Sequence, residues 1–358
     1  MDVLSDVLRG VRLTGAVFFD MKAHAPWVGT TPKSSVISSL VMPEAERVIC
    51  FHILVAGDAW ATLEDGSASP MRLSAGDVMI AAKGDSHFLS SDPGMRGEPD
   101  LGFYRRPAGH ALPLPHVLNE TAGGPESCHF VCGYLGCDLR PFNPLIEGLP
   151  RLFAAHASPA SQAWLSSLLR TAVNETDDDG AGREIMLAKL AELIFVDVLR
   201  KYVSELEEHS RGWFSGLRDR HVGGALGLIH GRPAKNWTLD SLSREVGLSR
   251  SAFAERFNAY VGSPPIEYLV RWRMQLAAKL LDEGVDVTEA AAQVGYTSPA
   301  TFNRVFKRFA GTTPGAWRRA KRNKTTVSPY ETAAAPYGQF ESGNPLEKVS
   351  DSVEPERR

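Results

Sequence analysis

The chain has 358 residues, 43% of them hydrophobic and 23% charged, and its formal net charge is −3. This composition is typical of an ordinary folded protein, and the length is enough for two or three domains. It excludes a wholly disordered chain, and no apolar run approaches the roughly 20 residues that a membrane-spanning helix needs.

Charge is distributed unevenly along the chain. Residues 213–324 contain 18 Lys and Arg but only 9 Asp and Glu, so the rest of the chain has twelve more acidic than basic residues. A basic segment joined to an acidic remainder is what a DNA-binding module with a separate sensing domain would show. A solvated basic face would give the same numbers, so charge alone does not decide between them.

The amino terminus and the cysteines indicate the compartment. Residues 1–6 are acidic and have no signal-peptide pattern, which predicts a cytoplasmic protein. In that reducing environment we expect Cys50, Cys128, Cys132 and Cys137 to be free thiols rather than a disulfide framework.

The first 150 residues are rich in predicted strands. Short apolar runs such as 48–55 and 77–81 are separated by clusters of Gly, Pro, Asp and Ser, a pattern typical of a barrel or sandwich. Residues 90–115 are rich in Gly and Pro and are predicted to form a long loop.

Two histidine-containing segments resemble the motifs of cupin barrels. Residues 76–87, ending in His87, match the second motif with Ala82 in place of its proline. Residues 52–60 are similar to a reduced first motif, because they supply one histidine, His52, where metal-binding cupins have two, and they lack the glutamate ligand. The resemblance implies a cupin-like sensor domain over residues 1–155.

Two hypotheses follow for the predicted barrel interior. In one, His52 and His87 bind a metal with Cys132 or His129 as further ligands, since zinc prefers imidazole and thiolate. In the other, which we favour, the cupin has lost its metal and needs no cofactor. Its interior would then bind a small-molecule effector, and the residues predicted to line that pocket are Trp27, His52, Trp60 and His87.

Helical periodicity begins near Pro159. One helix is predicted over 162–173, the polar run 174–180 interrupts it, and a longer helix is predicted over 183–208. The apolar stripe of the longer helix could pack on the β-domain or on a partner subunit. We therefore predict that residues 156–212 are a helical linker that could form a homodimer.

An internal duplication is the strongest feature of the sequence. When Ser249 is aligned with Ser298, the pairs Phe253/Phe302, Phe257/Phe306, Gly262/Gly311 and Pro265/Pro314 also align. Each copy predicts a short helix, a turn at Gly247 or Gly295 and a second helix anchored by its two Phe residues. The predicted N-caps of these four helices are Thr238, Ser249, Thr288 and Ser298, and Pro299 suits the first position of the last helix.

A helix predicted over 265–281 joins the two copies. About 17 residues span about 25 Å, which can hold two recognition helices near the separation of successive major grooves, about 34 Å. A helical bundle that binds another protein is the alternative, and the duplication together with the basic excess disfavours it.

These residues resemble the DNA-binding domain of the AraC/XylS family of transcription regulators over about 217–322. The resemblance implies base and phosphate contacts from Arg250, Ser251, Ala254 and Glu255 on the first recognition helix. On the second helix it implies contacts from Pro299, Ala300, Asn303 and Arg304, with Lys307 and Arg308 placed for phosphates. Glu255 departs from the arginine that is frequent in the family: it would repel phosphates but could accept from cytosine. Arg271 and Arg273 could contact DNA or form buried ion pairs.

Together these features predict a multidomain α+β protein with four segments. They are a cupin-like β-barrel (1–155), a helical linker (156–212), an all-α double helix-turn-helix domain (213–324) and a disordered tail (325–358). The predicted function is transcription regulation, with promoter DNA, a small-molecule effector and RNA polymerase as partners. A metal-dependent cupin enzyme fused to a DNA-binding module is the alternative, and it would require the full cupin set of ligands.

Overall fold

The computed structural model describes residues 2–325 except for residues 12, 15–17, 44, 46, 106–109, 111, 121–124, 138–140, 156–182 and 208–209. The helix predicted over 162–173, the polar run 174–180 and the predicted tail beyond Thr325 lie outside the described residues. No helix among the described residues is long and apolar enough to cross a membrane.

The amino-terminal region is a curled β-sheet. Its strand order is β10-β6-β4-β9-β2-β8, and β4 also pairs with β5 and β7 along its second part. The strands among the described residues are β1 (Leu13–Thr14), β2 (Phe18–Ala23), β3 (Val28–Thr31), β4 (Arg47–Leu63), β5 (Met71–Ser74), β6 (Val78–Ala81), β7 (His87–Ser90), β8 (Leu114–Leu118), β9 (Cys128–Cys137) and β10 (Phe153–Ala155).

Strand β4 gives the sheet its curl. The sequence predicted an eight-residue run here, whereas the strand has 17 residues. Its first part pairs with β6 and β9, and its second part pairs with β5 and β7. A bulge between Leu54 and Ala56 interrupts its pairing with β9, and bulges bend a strand and increase its twist. Gly57 follows with φ 77°, and a side chain there would collide with the backbone of Ser127.

Among the described residues, four α-helices accompany the sheet, α1 (Val3–Gly10), α2 (Ser34–Val41), α3 (Pro144–Gly148) and α4 (Arg183–Glu205), together with a short 3-10 helix, Leu101–Tyr104. Helix α4 packs against β9 and β10, and its Tyr202 ring lies 4.9 Å from that of Phe153. Of the two alternatives predicted for this helix, packing on the β-domain or on a partner subunit, the structure shows packing on the β-domain. Its other face exposes Ile185, Met186 and Leu193.

The carboxy-terminal region is entirely helical among its described residues. Its helices are α5 (Trp213–Arg218), α6 (Arg220–Gly231), α7 (Leu239–Glu245), α8 (Arg250–Val261), α9 (Pro265–Asp282), α10 (Val287–Gln293), α11 (Pro299–Ala310) and α12 (Pro314–Thr325). The first helix-turn-helix unit is α7–α8 and the second is α10–α11. Helix α9 joins them as predicted.

The local signals in the duplication set the helix ends. Thr238, Ser249 and Ser298 accept hydrogen bonds from the first turns of α7, α8 and α11, and Gly247 and Gly295 have φ 70° and 87°. The prediction that Thr288 caps its helix is wrong. Asp286 is the N-cap and accepts from the Thr288 amide, because a carboxylate two residues earlier reaches the same free N–H groups.

The hydrophobic cores of the two helix-turn-helix units are separate. The first unit shares a continuous core with the cupin region, which includes Phe253, Phe257 and Trp272. The second unit has its own core, built around Phe302, Phe306 and Trp317. Both Phe pairs are fully buried, as the alignment of the two copies predicted.

Candidate functional site

Both recognition helices present an exposed face opposite their buried Phe pair. On α8, Arg250, Ser251 and Glu255 are exposed and Ala254 is half-buried. On α11 all six predicted contact residues are exposed: Pro299, Ala300, Asn303, Arg304, Lys307 and Arg308. Because residues three or four apart share one helix face, each set forms one continuous surface.

The two surfaces differ in charge. Among the residues that the structure describes, Arg304 and Lys307 of α11 make no ion pair with a carboxylate, and Arg308 lies over the neighbouring Phe309 ring at 5.4 Å. On α8, Glu255 is the exposed acid that the sequence identified. The adjacent Arg256 is held by Asp219, to which its Nε donates at 3.1 Å.

Arg271 and Arg273 have structural partners. Arg271 donates to the Glu147 carboxylate at 2.9 and 3.1 Å. Arg273 is 8% exposed and donates to the carbonyls of Pro233 and Lys235. The contacts give both arginines structural partners, but neither forms the buried ion pair of the hypothesis: the pair of Arg271 with Glu147 is partly exposed, and Arg273 is bound by carbonyls.

In the cupin region, two histidines meet inside the barrel. His52 of β4 and His87 of β7 are buried, and their Nε2 atoms lie 2.9 Å apart. Burial lowers the pKa of both rings: that of His52 falls well below its usual range, helped by the charge of His87, and that of His87 falls less because of its contacts with Asp85. Both histidines are therefore neutral at physiological pH.

The hydrogen bonds around this pair fix its tautomers. The Asp85 carbonyl can only accept, so His87 Nδ1 carries a hydrogen and donates to it at 2.9 Å. His87 Nε2 is then an acceptor, and His52 Nε2 donates to it. His52 Nδ1 is left to accept from the Cys132 thiol at 2.6 Å. Every ring nitrogen of the pair is satisfied without a net charge.

A third side chain, Cys50, reaches the same point. Its Sγ lies 3.3 Å from His52 Nε2, and the donor atoms of Cys50, His52 and His87 all lie within 4.8 Å of one another. Cys50 was not among the ligands predicted from the sequence. The available signal was its spacing, because residues two apart on a strand share a face.

The other predicted ligands lie elsewhere. Cys132 contacts Nδ1 of His52, on the far side of the ring from His87. His129 contacts the Asp20 carboxylate at 2.5 Å and is 23% exposed. Neither belongs to the cluster of Cys50, His52 and His87. All four cysteines are buried free thiols, as predicted.

A cavity of about 130 Å³ lies beside His52. Its lining is mostly apolar and aromatic and includes two carboxylates; among the lining residues are Leu118, His52, Phe130, Cys132, Tyr104, Glu98 and Asp100. Of the residues predicted to line it, only His52 does so. Trp27 is buried behind the lining, stacked on Phe130 at 5.3 Å. Trp60 is half-buried between the fully buried Ala59 and Ala61, so it points to the opposite face of β4.

The cupin region contacts helix α9 directly. The Gln275 side chain accepts from the Phe142 amide and donates to the Gly10 carbonyl, each at 3.1 Å. Arg271 lies over the Phe142 ring at 4.0 Å, and Lys279 donates to the Arg9 carbonyl at 2.7 Å. The helix that joins the two recognition helices is therefore also the helix on which the cupin region rests.

Comparison with known proteins places these features in a family. A cupin family model matches residues 2–204, and a model of a helix-turn-helix domain matches residues 242–320. The transcriptional regulator AlkR of Acinetobacter baylyi is 26% identical over 89% of this chain and 99% of its own length. An AraC-like regulator of Streptomyces lividans is 29% identical over 89% of this chain and 98% of its own length.

Among solved structures, the DNA-binding domain of AdpA in complex with target DNA is 27% identical. It covers 31% of this chain and 99% of that domain, with a TM-score of 0.29. The cupin match spans more than half of the chain and the helix-turn-helix match covers the duplicated units. The chain belongs to the AraC family of DNA-binding transcription regulators, with a cupin domain at its amino terminus.

Proposed function

We propose that this regulator reads promoter DNA with the exposed faces of α8 and α11 and that a small molecule in the cupin cavity controls that reading. The observation that carries the proposal is the pair of exposed recognition faces, each opposite a buried Phe anchor. An exposed helix face held rigidly from behind is what the major groove accepts.

The second recognition helix supplies the stronger contacts in this proposal. Asn303 and Arg304 have the side chains that pair with adenine and guanine edges, while Lys307 and Arg308 neutralise phosphates. On the first helix, Arg250 and Ser251 contact DNA at the amino-terminal end, beside Ala254. Glu255 repels phosphate, so this helix contributes selectivity rather than affinity.

The cavity sets the class of effector. Its walls are mostly apolar, and the exposed residues Glu98 and Asp100 add carboxylate oxygens to the lining. A small, largely apolar molecule with one hydrogen-bond-donating group fits this lining. To act as a switch, the effector must bind two arrangements of the protein with unequal affinity, and the contacts of Gln275 and Arg271 with the cupin region offer the route to α9.

The remaining predicted partners belong to the same proposal. A second copy of the chain would contact the linker helices, where Ile185, Met186 and Leu193 leave apolar surface exposed on α4. RNA polymerase would be contacted once the regulator is seated at a promoter. We also propose that the four segments have the predicted limits, 1–155, 156–212, 213–324 and 325–358. The protein would catalyse no reaction, in keeping with relatives that are named as regulators.

Gel-shift titration on the DNA upstream of the protein's own gene tests the DNA-binding half. We expect affinity to fall steeply with salt and Arg304→Ala to weaken binding by about 5–150-fold, equivalent to roughly 1–3 kcal/mol. Arg72→Ala is the matched control, because it removes the same charge from an exposed cupin strand. Equal losses for both variants, or binding that is insensitive to salt, would overturn this half of the proposal.

Narrowing the cavity tests the sensing half. Leu118→Trp fills the cavity at a half-buried lining position, whereas Val117→Trp adds the same ring at a neighbouring exposed position. Candidate effectors should raise the melting temperature and alter the promoter footprint of the wild type and of Val117→Trp, but not of Leu118→Trp. An effector response that survives in Leu118→Trp would place the effector outside this cavity.

A further inference from the structure

The cluster of Cys50, His52 and His87 has the geometry of a metal site. Its closest contacts are 3.3 Å between Cys50 Sγ and His52 Nε2 and 2.9 Å between the two Nε2 atoms. Zinc bonds of about 2.0–2.3 Å in tetrahedral geometry place neighbouring ligand atoms about 3.3–3.6 Å apart. These two distances differ from the tetrahedral values by a few tenths of an ångström, and the donor atoms of all three residues lie within 4.8 Å of one another.

The donor set selects the class of ion. One thiolate and two imidazoles are ligands for zinc and similar borderline-soft ions, whereas magnesium and calcium prefer carboxylate and carbonyl oxygens. No carboxylate belongs to this cluster in the part of the chain that the structure describes. Cys50 thus stands in for ligands that metal-binding cupins have and the segment around His52 lacks.

The outer nitrogens of both rings are already held in the way that metal-binding histidines require. His87 Nδ1 donates to the Asp85 carbonyl at 2.9 Å, and His52 Nδ1 faces Cys132 Sγ at 2.6 Å. Such outer contacts orient the rings and direct the opposite nitrogens at the ion. Cys132 is therefore a positioning residue rather than a ligand.

The protons balance when the ion enters. Without it, His52 Nε2–H donates to His87 Nε2, and Cys132 S–H donates to His52 Nδ1. With it, the hydrogen of His52 moves to Nδ1 and donates to Cys132 Sγ, and Cys50 loses its proton to solvent. One thiolate and a divalent ion leave a single positive charge, and three protein ligands leave an open coordination position. Of the three ligands only His52 borders the cavity, and its Nε2 faces Cys50 and His87, so the ion would lie behind the cavity wall.

We propose that Cys50, His52 and His87 bind a divalent ion of the zinc class behind the cavity wall formed by His52, in place of the metal-free interior that the sequence favoured. The ion can be bound whether or not the cavity also takes an organic effector. The site thus extends beyond effector sensing, and its failure would leave the proposed DNA reading untouched.

Cobalt titration of the untagged, reduced full-length protein tests the site, because Co²⁺ reports both stoichiometry and thiolate ligation. We expect one Co²⁺ per chain with a thiolate-to-cobalt charge-transfer band that Zn²⁺ abolishes. Cys50→Ser should lose the band, and His87→Gln should weaken Zn²⁺ binding at least tenfold. Cys128→Ser, a buried thiol outside the cluster, is the control and should keep both.

Circular dichroism of each metal-free variant separates loss of ligation from loss of fold. If Cys50→Ser does not fold, His87→Gln decides by its Zn²⁺ affinity and the intensity of the cobalt bands. Cys132→Ser should retain the band with weaker binding. Folded wild-type protein without the band, a band that persists in folded Cys50→Ser, or a band lost only in Cys132→Ser would each overturn the assignment.

Discussion

The two helix-turn-helix units are copies in sequence but differ in their surroundings. The first unit shares its core with the cupin region, and helix α9 at its side is held by Gln275, Arg271 and Lys279. The second unit has its own core and the more basic recognition face. In the proposed function the two copies therefore have different roles: the first is joined to the cupin region, and the second binds DNA with its more basic face.

Removing one Phe anchor from each unit should have the largest effect and tests whether the two cores are separate. Phe257→Ala and Phe306→Ala should each destabilise their own unit by about 3–5 kcal/mol, since both rings are fully buried. Because the cores are separate, only Phe257→Ala should also weaken protection of the cupin strands in hydrogen exchange. Equal effects of the two variants on β4 and β9 would show that the chain has one cooperative core.

Gln275 tests the joint between the cupin region and the first unit. It is 3% exposed, and Gln275→Ala leaves the Phe142 amide and the Gly10 carbonyl without their partner. We expect a loss of about 2–3 kcal/mol in the free energy of unfolding, measured with urea. Gln293→Ala is the control, because that exposed side chain contacts only Glu289 on its own helix, and it should change stability by less than about 0.5 kcal/mol. If Gln275→Ala lowered the free energy of unfolding as little as the control, the contact of Gln275 with the cupin region would not stabilise the protein.

Mild acid should destabilise the core that the first unit shares with the cupin region, through His230 of α6, and spare the core of the second unit. Burial lowers the pKa of His230 to about 3, below its unfolded value of about 6.5. The unfolded chain then binds more protons below pH 6.5, so stability is complete above that pH and falls as pH drops towards 3. Between pH 7 and 5 the loss from His230 should be about 2 kcal/mol.

The difference between the wild type and His230→Gln isolates this contribution. Urea unfolding of both proteins at pH 7 and pH 5 should show the wild type losing more stability, in the transition that contains the first unit. Residues 274–317 contain no histidine, so the second unit should not share the effect. If the wild type and His230→Gln lost the same free energy of unfolding between pH 7 and pH 5, His230 would not be the cause.

Replacing Lys307 should have the smallest effect on DNA binding, and it tests the difference in charge between the two recognition faces. Lys307→Ala should weaken binding about equally on all DNA sequences and reduce the slope of log affinity against log salt by about one. Glu255→Gln on the first unit should instead strengthen binding to non-specific DNA, because it removes a repulsive charge. The same salt series measures both, and an unchanged slope in Lys307→Ala would mean that its side chain does not neutralise a phosphate.

The sequence predicted the DNA-binding domain closely because its signals are local. Caps, turn glycines and Phe pairs act within one or two helical turns, so Ser249, Gly247 and Phe253 are found as expected. The error at Thr288 is of the same local kind, since Asp286 two residues earlier competes for the same amides.

The cupin site was predicted less well because its contacts are not local. His52 meets Cys132 from 80 residues away and His87 from 35, and no spacing rule orders such partners. Trp60 was assigned to the pocket from its residue type, although the bulge between Leu54 and Ala56 and the alternation of β4 decide which face it takes. The packing of α1 on α9 had no signal in the sequence.

The division of work between the two units is tested most directly by one paired binding measurement. Arg304→Ala and Arg250→Ala remove the same side chain from exposed positions on α11 and α8. Their affinities for the footprinted promoter should be compared at two salt concentrations. The loss of affinity should be clearly larger for Arg304→Ala at both concentrations. An equal or larger loss for Arg250→Ala would contradict this division of work.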